Sequence, residues 1–241
     1  RLSRRARTVL VDNHGTELVG NLWGAAFEGY ARDLVTDAVA PGPGSTVVPF
    51  SFGEPASEVE SPDVLVRGAP FLGVEVKATR WSEPYEEALS IPWLCGWIEK
   101  VLGRRESTGR GPWEQGSAFF EAWRGGSPGI VGGLGPFPGY PGLLYAVVTP
   151  EIVPFVVHTP AFRRKLLEPG LRLGLKALSN RTVFLGIEDV EVAATVAQAV
   201  GPHRAFDLAQ ELVEWKKLWD ERKLAYEDEE GRKRVLPRFG D

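Results

Sequence analysis

Asp63, Glu75 and Lys77 are the residues of this chain whose types and spacing could do chemistry together. Ser61-Pro62-Asp63 opens one apolar run, and Glu75-Val76-Lys77 lies inside the next, with eleven residues between Asp63 and Glu75. Side chains alternate faces along a strand, so Glu75 and Lys77 project together while Val74 and Val76 turn the other way into apolar packing. A tight connection at Gly68-Ala69-Pro70 would bring Asp63 back towards Glu75. Two carboxylates and an ammonium then meet in one small space. Hard cations such as Mg²⁺ take carboxylate oxygens and keep waters. A cation so held polarises a phosphate and lowers the pKa of a bound water, and a nearby lysine orients that water or steadies the developing charge. The set therefore suits hydrolysis of a phosphodiester.

Pro62-Asp63 followed by Glu75-x-Lys77 resembles the pattern of the PD-(D/E)xK nuclease superfamily. Members of that superfamily often carry an acidic residue on the helix before the core strands. Glu28, within Gly24-Ala25-Ala26-Phe27-Glu28-Gly29-Tyr30, sits where that residue would be. The resemblance covers about residues 22–80 and includes the order helix, strand, Pro-Asp strand, Glu-x-Lys strand. It implies a restriction-endonuclease-like α/β domain, in which a central mixed sheet is flanked by helices. It further implies Asp63, Glu75 and Glu28 as metal ligands, the carbonyl of Val76 as a further ligand, and Lys77 as the catalytic lysine. The cofactor would be Mg²⁺, with Mn²⁺ able to substitute. The substrate would be nucleic acid, with DNA preferred over RNA because the superfamily mostly cuts DNA, in a setting of restriction, antiviral defence or repair. In random order, 19 Pro, 9 Asp, 23 Glu and 8 Lys give the joint motif roughly 4% of the time.

Each of these residues also has an ordinary structural reading. Alternating Glu75 and Lys77 would make a weak pair on a solvated strand face. Asp63 after a proline would be a turn residue. Glu28 stands four residues before Arg32, the spacing of a common helix-surface pair. His14, His158 and His203 are scattered and give no cluster for a metal. Arg104-Arg105, Arg110, Arg163-Arg164-Lys165 and Arg232-Lys233-Arg234 are candidate phosphate contacts or solvated surface. Cys95, between Trp93 and Trp97, reads as a buried thiol and not a nucleophile.

The elements that must position the candidate centre follow from periodicity. Leu22, Trp23, Ala26, Phe27, Tyr30, Leu34, Val35 and Ala38 recur at three- and four-residue steps. That predicts an amphipathic helix over 22–39, with Asn21 as N-cap and Pro41-Gly42-Pro43-Gly44 as its stop. Strands are predicted over Thr46–Phe52, Asp63–Arg67 and Phe71–Thr79. Residues 81–142, rich in glycine, proline and aromatics, read as an insertion. Its Trp93, Trp97, Trp113, Phe119, Phe120 and Trp123 are more consistent with a small satellite core than with a base-stacking platform. Strands resume at 143–148, 153–157 and 182–187, with helices near 161–167 and over 189–200. A long helix over 206–227 carries Leu208, Leu212, Trp215 and Trp219 on one face. The chain thus reads as one domain, with a core of about 20–80 and 143–200, the insertion, and a C-terminal helical appendage of about 205–230. The appendage could serve a homodimer or a partner protein, or cover its own core.

Composition sets outer bounds. With 241 residues, 43% hydrophobic and 25% charged, the chain can bury a real core and is not of disordered type. A formal net charge of −4 gives no general attraction to nucleic acid, so contacts with it must be local. A single cysteine excludes an internal disulfide and cysteine-based metal clusters, and points to a reducing, cytoplasmic setting. No apolar stretch approaches a membrane span or a secretory signal core. Two competing readings remain. One is a scaffold or partner-binding module with this fold and no turnover. The other is a nuclease toxin domain cut from a longer polypeptide, which the absence of methionine admits.

Overall fold

The computed structural model describes residues 16–39, 45–48, 59, 61–78, 112–150, 178, 181–200 and 208–216. In chain order these form α1 (Thr16–Val39), β1 (Thr46–Val48), β2 (Val64–Arg67), β3 (Phe71–Val76), α2 (Pro112–Arg124) and α3 (Pro128–Leu134). A 3₁₀ turn (Tyr140–Gly142), β4 (Leu143–Thr149), β5 (Thr182–Gly186) and α4 (Ile187–Val200) follow, and residues 208–216 are helical. The fold is α/β, with a mixed sheet of order β1-β2-β3-β4-β5. β1, β2 and β3 pair antiparallel, while β4 and β5 continue from β3 in parallel.

The run Leu-Leu-Tyr-Ala-Val-Val-Thr of β4 and the Thr-Val-Phe-Leu-Gly of β5 are buried at every position. Parallel strands covered on both faces carry such unbroken apolar runs, because neither face is left to water. Alternation along the strands divides the core in two. Val64, Val66, Leu72, Val74, Val76, Leu144, Ala146 and Val148 face one side, where they pack with α1, α4 and the helical residues 208–216. Leu65, Phe71, Leu143, Tyr145 and Val147 face the other, against Phe119, Phe120 and Trp123 of α2 and Ile130 and Leu134 of α3. The result is helices, sheet, helices.

Several expectations shift in detail. α1 begins at Thr16, so Asn21 is an exposed residue inside the helix and not its cap. On the solvent side an asparagine costs a helix at most about 0.7 kcal/mol, too little to end it. The buried stripe of α1 is Phe27, Ala31, Val35, Ala38 and Val39, whereas Leu22 (63% exposed) and Tyr30 (47%) face outward. The apolar residues of this helix support two overlapping stripes. The one carrying the small Ala31 and Ala38 lets α1 lie close to α4, and the Tyr30 hydroxyl reaches Glu191 of α4 at 2.6 Å.

Residues 112–142, within the stretch read as an insertion, are the helical layer that covers one face of the sheet. Phe119, Phe120 and Trp123 are buried there, in edge-on and tilted contacts with Phe71 and Tyr145 and with one another. They stack on protein rings, so these three are core and not a platform for bases. α4 starts at Ile187, directly after β5. Leu208, Leu212 and Trp215 are buried in the same cluster as α1 and α4. Over 208–216 the amphipathic face is therefore used by the chain's own core, one of the two uses open to it from the sequence. Residues 49–52, the strand expected at 153–157, the helix near 161–167 and Trp219 lie outside the described residues. No helix among the described residues is long and apolar enough to cross a membrane.

Candidate active site

β2 and β3 fix the geometry of the centre. Their register pairs Val64 with Val74 and Leu65 with Gly73, and carrying it one residue back sets Asp63 opposite Glu75. Directly opposed residues of an antiparallel pair share a face. One residue further back, Pro62 stands opposite Val76. Proline has no N–H, so the ladder stops there. The Val76 N–H donates instead to Asp63 Oδ2 at 2.7 Å, which ties the Asp63 carboxylate to the end of β3. In an antiparallel hydrogen-bonded pair, the two residues exchange both bonds. Pro62 cannot return a donor to the Val76 carbonyl.

Glu75 is 6% exposed, and a carboxylate that deep is costly unless paired. Lys77 supplies that pairing. Lys77 Nζ lies 2.6 Å from Glu75 Oε1, with the lysine side chain only 12% exposed. The Lys77 N–H donates to the Val148 carbonyl at 2.8 Å, which extends the parallel ladder past the end of β3 and fixes the root of the lysine. Tyr145 of β4 is a fully buried ring on the same face of the sheet. Burial first, then the charges of Glu75 and Asp63 and hydrogen bonding to Glu75, push the Tyr145 phenol well above its ordinary pKa of 10.0.

Asp63, Glu75 and Lys77 are thus brought together, on the face covered by α2 and α3. Glu28, expected as a third carboxylate ligand, is not brought to them. It is half-buried on α1, next to the stripe that packs on the opposite face of the sheet. Among the described residues no group of three or more His, Cys, Asp or Glu side chains could hold a metal ion. The reason is helix phase. Burying Phe27, Ala31 and Val35 directs α1 at the Val74 side of β3, and Glu75 projects from the other.

Tyr145 escapes a reading of the sequence alone, because nothing local distinguishes a tyrosine inside a buried apolar run from a core aromatic. One signal existed: a phenol in a strand buried on both faces needs a polar partner, and among the described residues Glu75 is the buried carboxylate. Gly116 of α2 belongs to the same arrangement. A Cβ there would come within 2.8 Å of the Tyr145 ring and hydroxyl, so only glycine lets the helix approach the phenol. Gly73 plays a milder part on β3, where a Cβ would meet Phe120 at 3.1 Å and Pro62 at 3.4 Å.

Two carboxylates against one ammonium leave the cluster with one net negative charge. Carboxylate oxygens are of the type that hard divalent cations take, with waters completing the shell. The histidines, Cys95 and the basic clusters named above lie outside the described residues. Comparison with family models, curated proteins and solved structures finds no match for this chain.

Proposed function

We propose that this protein is a divalent-metal-dependent nuclease that hydrolyses phosphodiester bonds of nucleic acid, DNA foremost. The observation that carries the reading is the meeting of Asp63, Glu75 and Lys77 at the end of β3. The order of helix, antiparallel β1-β2-β3 and parallel β4 is compatible with the restriction-endonuclease-like fold that the motif implies. Asp63, Glu75 and the Val76 carbonyl would hold Mg²⁺ or Mn²⁺. Bound there, the cation supplies Lewis acidity towards a phosphate oxygen and a water of lowered pKa. The Lys77 ammonium, anchored through its backbone to β4, stands beside Glu75, where it can orient the attacking water and offset charge on the phosphate. Glu28 is given no role in this centre.

Asp63→Ala and Lys77→Ala, made separately, should each abolish plasmid cleavage in Mg²⁺ or Mn²⁺, and chelation with EDTA should abolish it in the wild type. Undiminished cleavage by both variants sinks the assignment. One observation favours a second reading. Glu75 is already paired with Lys77, and among the described residues no third carboxylate joins Asp63 and Glu75, as suits a non-cutting scaffold that keeps the pair for its own stability. A folded wild type that takes no Mn²⁺ in calorimetry would establish that reading instead.

A further inference from the structure

Asp63, Glu75 and Lys77 meet in a recess, and a recess selects the form of strand that can enter it. We infer that the substrate is an unpaired nucleic-acid strand, single-stranded DNA or a locally opened stretch of duplex, and not continuous double helix. The inference rests on the nuclease reading and deepens it by naming the strand form.

Packing sets the depth of the recess. Glu75 is 6% exposed and the side chain of Lys77 only 12%. The face of the sheet that carries them is roofed by α2. At Gly73, two residues before Glu75 on the same face, roof and floor are in contact: a Cβ there would meet Phe120 of α2 at 3.1 Å, Pro62 at 3.4 Å and Tyr145 at 3.5 Å. One strand over, Gly116 of α2 lies so close to Tyr145 that a Cβ would meet its ring at 2.8 Å. The space is therefore closed about 7 Å behind Glu75, at about 3.3 Å per strand residue. Among the described residues that leaves the end of β3 as the approach for a reacting phosphate.

Duplex and single strand differ in what accompanies that phosphate. A duplex is a stiff rod, with a persistence length of about 150 base pairs and a charge every ~1.7 Å of axis. Its phosphates cannot sink one at a time, because the neighbours and the opposite strand would be driven against the rim. In a single strand the backbone torsions are free, so one phosphate can bend inward while those beside it stay in water. A duplex reaches the centre only after it opens, and each base-pair step opened costs a factor of roughly ten.

The test follows cleavage by the full chain in Mn²⁺ of one end-labelled DNA strand in three forms. The strand is offered alone, annealed to its full complement, and annealed to a complement that leaves a central mismatched bubble. The lone strand should be cut about tenfold faster than the duplex, or more, and cuts in the third form should fall inside the bubble. A supercoiled plasmid, underwound and locally open, remains a substrate, whereas the same closed circle once relaxed should resist. A duplex cut as fast as the lone strand, or cuts spread evenly over the paired arms, overturns the inference and leaves the nuclease standing. No cleavage of any form overturns both.

Discussion

Asp63 serves two ends that substitution can separate. Its carboxylate caps the ladder by accepting the Val76 N–H at 2.7 Å, and the same group is the candidate ligand. Asp63→Asn keeps an acceptor oxygen and loses the charge, so it should fold with wild-type stability and cut no DNA. Asp63→Ala should also lose about 1–3 kcal/mol in urea unfolding, because a buried donor loses its acceptor. Glu75 and Lys77 make the complementary case. Lys77→Ala leaves a carboxylate that is 6% exposed without its cation, and should cost about 1–3 kcal/mol. Adding Glu75→Gln should restore part of that loss, since the charge that needed compensation is gone. If the double variant is less stable than Lys77→Ala alone, the pair is not coupled as described.

The same residues depend on strands and helices that the sequence reveals unevenly. Pro62-Asp63 and Glu75-x-Lys77 were legible because alternation within a strand and a short connection between two strands are local properties. The partner strand was not. β4 reaches β3 only after a long stretch that reads as an insertion, so the pairing of Gly73 with Tyr145 follows from no local pattern. Helix phase was equally hidden, since Leu22 and Tyr30 fit the periodicity of α1 as well as Phe27 and Val35 do. That is why Glu28 could be expected at the centre and stand on the other side of the sheet. The aromatics of α2 read as a satellite and are one half of the core. Phe120→Ala should accordingly destabilise by about 3–5 kcal/mol, measured by denaturant unfolding. The 3₁₀ turn is tied to α2 by the Tyr140 hydroxyl donating to Glu121. Burial, that bond and the charge of Glu121 raise the Tyr140 pKa to about 12, against a lowering by Arg124. Above pH 10 the unfolded chain gives up this proton while the folded chain keeps it. The contribution is full below pH 10 and is lost as the pH rises towards about 12. Tyr140→Phe should flatten that alkaline fall, and an unchanged slope would contradict it.

Among the described residues, two apolar layers on one mixed sheet leave the cluster of Asp63, Glu75 and Lys77 at the end of β3, where the antiparallel ladder stops at a proline and the parallel one runs on through Lys77. The layer of α1, α4 and residues 208–216 supports that sheet from behind. Leu212, 1% exposed within it, should cost about 2–5 kcal/mol on replacement by Ala, with the oligomeric state in sedimentation unchanged. A shift to smaller oligomers at full stability would make residues 208–216 an interface instead. A net charge of −4 means that nucleic acid is not drawn to the molecule as a whole. On the proposed function, affinity would come from local contacts and from a cation that offsets the acidic centre. The most direct measurement is therefore the position of that cation, read from anomalous scattering in a crystal soaked with Mn²⁺. The account predicts a peak between the carboxylates of Asp63 and Glu75, close to the Val76 carbonyl. A protein that cuts DNA with Mn²⁺ bound elsewhere, and none between those two carboxylates, would contradict it.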